Sequence, residues 1–199
     1  MLVLHGIWNA PLWMQPLAWR LRRAGFAAEP FGYPGVTGGP QVAIARLAAH
    51  LRQARPTHLV GHSLGGLIAL ETLRRHPGLP VPRLVCLGSP LSGSATAQVL
   101  AQRGWGSVLG RSALLLDRGC PPWSGPPEGG MIAGDVPRGV GRLLAGVDET
   151  SDGTVALAET RLSGLVDHCC VHASHTGLPF SPQAARQVVA FLRHGRFRR

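Results

Sequence analysis

The chain has 199 residues, 45% hydrophobic and 15% charged, a balance that excludes a disordered polypeptide and supplies enough apolar side chains for a core without metal or disulfide staples. Its formal charge of +10 comes from arginine alone, with no lysine in the sequence. The arginines are dispersed over helices and turns rather than gathered on one face with aromatic readers between them, which argues against nucleic acid as a partner.

Leu2–Leu4 is a short apolar run ended by His5-Gly6, the pattern of a buried strand. The first nineteen residues carry no charge, so a signal peptide has to be weighed. Against it, the positive residues follow the apolar run, and His5, Asn9, Pro11, Gln15 and Pro16 interrupt it. A strand opening a cytoplasmic, soluble protein is the expectation, with no strand before it. Leu12, Leu17 and Leu21 then fall on one helical face that stops near Gly25.

Phe26–Tyr33 reads as a weak strand leading into the Gly/Pro stretch GYPGVTGGP. From Gln41 the apolar positions follow a helical period until Pro56. His58–Val60 is the next strand, Leu64–Arg75 a helix stopped before Pro77-Gly78, and Arg83–Leu87 another strand. Short apolar strands alternating with helical patterns predict βαβ units on a parallel sheet, and such sheets place ligands at the carboxyl ends of their strands.

Residues 91–130 are less regular. A helix is predicted near Thr96–Arg103, followed by CPPWSGPPEGG, where proline and glycine exclude regular structure. This stretch is a candidate lid or rim excursion within a single 1–199 domain. Met131–Ala133 and Leu165–His172 are further strand candidates. The last helix has Ser181 as cap, Pro182 in its first turn, Ala185, Val188, Val189 and Leu192 on one face, and Gly195 at its end. Cys86, Cys120, Cys169 and Cys170 form no CxxC pair or zinc spacing, which fits a reduced compartment and no metal.

Gly61–Gly65 reads G-H-S-L-G, a serine between glycines where a strand gives way to a helix, as a nucleophile elbow requires. A serine hydroxyl needs a base, and the base needs an orienting acid. Of nine histidines, His175 lies in a small-residue loop after the last strand and before the last helix, where it can reach across the sheet edge. His172 is the next candidate. Asp152, in TSDGTV with Gly153 permitting a tight turn, is the candidate acid; Asp135, Asp148 and Asp167 are less well placed.

Together, HGI after the first strand, GHSLGG at the elbow, SDGTV, and SHTGL before the last helix resemble the α/β-hydrolase fold. They are most similar to small lipases and esterases with an HG oxyanion loop, including lidless lipases and GPI-inositol deacylase-like lipases. The resemblance implies a minimal, mostly parallel central sheet flanked by helices. It also implies a Ser63–His175–Asp152 triad, with the backbone N–H groups of Ile7 and Leu64 as the oxyanion hole. No motif covers residues 91–130.

The expected reaction is hydrolysis of a small-molecule or lipid-like acyl ester through an acyl-enzyme, without cofactor. Thioester hydrolysis, acyl transfer, or a non-catalytic binding protein on the same fold are the alternatives. Trp8, Trp13, Trp105 and Trp123 are candidates for an apolar wall along the acyl chain. The basic charge also allows peripheral contact with an anionic membrane.

Overall fold

The computed structural model describes residues 1–139 and 150–199. Six parallel strands form one sheet: β1 (Leu2–Leu4), β2 (Glu29–Phe31), β3 (Leu59–His62), β4 (Arg83–Leu87), β5 (Glu128–Gly134) and β6 (Asp167–Val171), in the order β2-β1-β3-β4-β5-β6. The α-helices among the described residues are α1 (Gln15–Arg23), α2 (Gly39–Arg52), α3 (Leu64–Arg75), α4 (Ala95–Gln102), α5 (Ala113–Arg118) and α6 (Pro182–His194).

Alternation along the strands divides the core between the two faces of the sheet. Leu2, Leu4, Leu59, Leu84, Cys86 and Met131 face one way and pack with Ile44 and Leu47 of α2 and Leu67 and Ile68 of α3. Val3, Val60, Val85, Leu87, Ile132 and Val171 face the other way, against Leu17 and Leu21 of α1 and Val188 and Phe191 of α6. Both faces are covered, which is why these strands read as continuous apolar runs.

The predicted limits of α3 and β4 coincide with the observed ones. Elsewhere the ends moved. Pro11–Met14 forms a 3-10 turn ahead of α1, and the weak second strand contracts to Glu29–Phe31. Strand β5 starts at Glu128, inside the Gly/Pro stretch, and α5 was not predicted at all. As expected, Ser181 caps α6, its side chain accepting from Ala184 N–H at 3.2 Å, and Gly195 ends the helix in the left-handed region.

No helix among the described residues is long and apolar enough to cross a membrane. The strand order reverses direction between β1 and β3, so the loops leaving these two neighbours open a crevice at the carboxyl edge. His5-Gly6-Ile7 and Ser63 occupy it.

Candidate active site

Ser63 adopts φ +53° and ψ −120°, and it is the only non-glycine residue with positive φ among the described residues. Such a backbone is costly and persists only when its surroundings hold it. They do so here: Ser63 N–H donates to Leu87 O of the adjacent strand at 2.8 Å, and Ser63 O accepts from Gly66 N–H at 3.1 Å. The glycines on either side permit a close approach. A Cβ on Gly61 would lie 2.4 Å from Gly66 N, and one on Gly65 2.8 Å from the carbonyl oxygens of Leu4 and His5.

The serine is thereby presented at the N-terminus of α3, the positive end of the helix dipole. Leu64 N–H, at the first helical position, has no acceptor within the helix. The loop after β1 lies alongside: a Cβ on Gly6 would stand 3.3 Å from Ser63 Cβ. Ile7 N–H makes no hydrogen bond among the described residues. This loop is braced from behind by the only tyrosine of the chain. Tyr33 is buried, its hydroxyl donates to His5 O, and its ring stacks on His5 at 4.3 Å.

His175 follows β6 and is held at both ends by Asp152. Its N–H donates to Asp152 O at 2.8 Å, and its Nδ1 stands 2.7 Å from Asp152 Oδ2. The other carboxylate oxygen, Oδ1, accepts from Thr154 N–H at 3.0 Å and Val155 N–H at 2.8 Å, so the turn through Gly153 fixes the carboxylate. Both side chains are buried. An aspartate on Nδ1 favours the tautomer with a proton there, which leaves Nε2 free to accept one.

Ser63 and His175 line the same cavity, of about 150 Å³, with Gly6, Ile7 and Trp8. Its apolar wall comes from Ala97 and Leu100 of α4, Leu109 of the following turn and Leu116 of α5, all within the 91–130 excursion. Trp8 is half-exposed, with its indole N–H on Val108 O at 3.0 Å. Three of the tryptophans expected on this wall are elsewhere. Trp105 does not line the cavity, and Trp123 is buried in the core with its indole N–H on Pro127 O at 3.0 Å. Trp13 packs edge-on against Phe180, also outside the lining.

The competing carboxylates have other partners. Asp135 pairs with His172 at 3.0 Å on the surface, and Asp167 with Arg199 at 3.1 Å; Asp148 lies outside the described residues. His62, next to the serine in the elbow, points its Nε2 at His175 O, 3.0 Å away. A carbonyl can only accept, so His62 carries its proton on Nε2. Burial, and then the nearby His175, push its pKa down to about 3. Among the described residues, no group of three or more histidine, cysteine or acidic side chains is arranged to hold a metal ion.

A family model described as the alpha/beta hydrolase family matches residues 1–196. No curated protein matches the chain. Among solved structures, the mature lipase BlEst2 of Bacillus licheniformis is similar with a TM-score of 0.72 at 22% identity, over 96% of this chain and 90% of that one. The pyrethroid hydrolase PytH gives 0.62 at 16% identity, over 98% and 97% of the two chains. The metagenomic carboxyl esterase MGS0156 gives 0.64 at 17%, over 89% of this chain and 64% of that one. At these identities the likeness is one of fold.

Proposed function

Because the chain belongs to the alpha/beta hydrolase family, we propose that it is a serine hydrolase that cleaves carboxylic esters. The observation that carries this reading is a strained serine at a strand-to-helix turn, sharing a cavity with a buried histidine whose Nδ1 rests 2.7 Å from a carboxylate.

In the reaction, Ser63 Oγ attacks the ester carbonyl and His175 Nε2 takes its proton. Asp152 keeps the imidazole oriented and stabilises the imidazolium. The N–H groups of Ile7 and Leu64 donate to the developing oxyanion, each typically worth about 3 kcal/mol in the transition state. His175 then gives its proton to the departing alcohol. A water deprotonated by the same nitrogen attacks the acyl carbonyl, and Ser63 recovers its proton as the acid leaves.

The cavity volume of about 150 Å³ is below the roughly 300–1,000 Å³ of sites that enclose drug-sized ligands. The substrate we propose is therefore an ester with a short acyl group seated between Leu100, Leu109 and Leu116, its alcohol portion leaving toward the open side. A p-nitrophenyl ester series from acetate to palmitate, with wild type and Ser63→Ala, tests this reading. Hydrolysis is expected to peak at short chains and to fall at least about a thousandfold in the variant. Equal rates from the two proteins would remove the assignment. Labelling of wild type, but not of Ser63→Ala, by a fluorophosphonate separates a catalytic serine from a fold that only binds.

A further inference from the structure

The segment 109–118 has two working faces. It presents Leu109 and Leu116 to the Ser63 cavity, and Arg111 and Arg118 to a second cleft of about 510 Å³ that Arg74 and Arg75 of α3 also line. This cleft falls within the size range of small-molecule sites. Its charge is one-sided.

Glu71 is the only acidic residue in the lining, and it is already engaged. Its Oε1 accepts from Arg74 Nη2 at 2.6 Å and Arg75 Nε at 2.7 Å, and its Oε2 from Arg74 Nε at 2.8 Å. The hydrogen bonds from Arg74, chiefly, hold its carboxyl below the usual range, so it stays ionised and neutralises one guanidinium. Burial pushes the Cys120 thiol up to about 12, so it adds no negative charge. Three positive charges are left unmatched in one concavity. Arg111 and Arg118 have no side-chain hydrogen bond or ion pair among the described residues.

The rest of the lining fits neither a bare ion nor a nucleic acid strand. Leu114 and Leu115 lie between the two unpaired arginines in sequence and line the same cleft, with Leu114 well exposed. Guanidinium forks match the oxygens of a doubly charged phosphate, and the apolar strip beside them takes a hydrocarbon substituent. We propose that this cleft binds a soluble phosphate monoester with an apolar group, its phosphate held by Arg111 and Arg118 and its apolar part against Leu114 and Leu115. This site is separate from Ser63 and does not depend on the ester reaction.

Isothermal titration of the full chain with hexyl phosphate at low salt tests the site. Saturable one-to-one binding is expected, tighter than for inorganic phosphate. It should weaken about tenfold or more in Arg111→Gln/Arg118→Gln, which loses two charge-assisted contacts. It should be unchanged in Arg20→Gln/Arg23→Gln, which removes the same charge from α1. Ser63→Ala should bind as wild type does, whatever its effect on ester hydrolysis. If the double variant does not fold, Arg118→Gln alone, at the exposed end of α5, is expected to weaken binding at least about threefold.

Equal weakening by the α1 variant would reduce the effect to general basicity and overturn the site. Loss of binding in Ser63→Ala would move the ligand to the ester cavity, with the same consequence. Capture on phosphatidate vesicles without binding of hexyl phosphate would replace the site with a membrane-facing surface.

Discussion

His62 stands next to Ser63 in the chain yet makes its hydrogen bond 113 residues away, on the carbonyl of His175. The two imidazole rings are 4.9 Å apart, so this contact fixes the loop that carries the proposed base. Removing the donor leaves a buried carbonyl unpaired, which costs about 1–3 kcal/mol. His62→Leu is therefore expected to lower kcat on a short-chain ester by about tenfold or more with little change in KM, whereas His62→Gln, which keeps an N–H donor, should restore most of it. Equal losses in both variants would assign His62 to packing alone. Gly88 constrains the same group from the far side. It adopts φ +54°, and a Cβ there would lie 3.0 Å from Asp152 Oδ2 and 2.6 Å from Leu178 Cδ1. Gly88→Ala is expected to lose about 2 kcal/mol by urea unfolding, from backbone strain. It should also lower kcat as the carboxylate shifts, and unaltered kcat would show that the carboxylate tolerates the methyl.

At the scale of elements, much of the sheet was legible because a strand buried on both faces announces itself as an apolar run, and α3 and α6 announce themselves by period and caps. Ser63, Asp152 and His175 stand out as candidates in the sequence because each falls in a Gly- or small-residue loop. What brings Asp152 to the imidazole is not in the sequence pattern. It is set beside the end of β5, where a Cβ on Gly134 would be 2.9 Å from Asp152 Cβ. The cavity wall was illegible for a related reason: ALLLDR in α5 is too short to show a period, and only tertiary packing decides that Leu116 faces the serine while Leu114 faces away. The same holds for Trp123, whose place beneath Pro127 depends on close contact with Gly125 and Gly164. If α4, α5 and the turn between them set acyl length, Leu109→Ala should move the best p-nitrophenyl substrate to longer chains, at a cost of about 3 kcal/mol in stability. An unchanged length profile would place the acyl group elsewhere.

Across the whole molecule, acid is the condition to which this chain is most exposed. It already carries a formal +10 with its nine histidines neutral, so each proton taken up adds to self-repulsion. The fold resists that uptake at His5, His58, His62 and His168, whose pKa values are lowered from 6.5, in each case foremost by burial. The unfolded chain has no such resistance and binds these protons near pH 6.5. Below that pH the unfolded state therefore holds more protons than the folded one, and stability must fall as pH falls. For His62 the fall continues to about pH 3, where the folded state is protonated as well. Glu71, lowered from 4.5 chiefly by its hydrogen bonds with Arg74, adds a loss of the same sign below its unfolded value. Urea midpoints measured from pH 8 to pH 4 should be level above about pH 7 and decline steadily below about pH 6.5. His62→Gln, which cannot titrate, is expected to start from a similar or lower midpoint and decline less steeply. Parallel slopes for the two proteins would mean that the buried elbow histidine is not what makes the fold acid-sensitive.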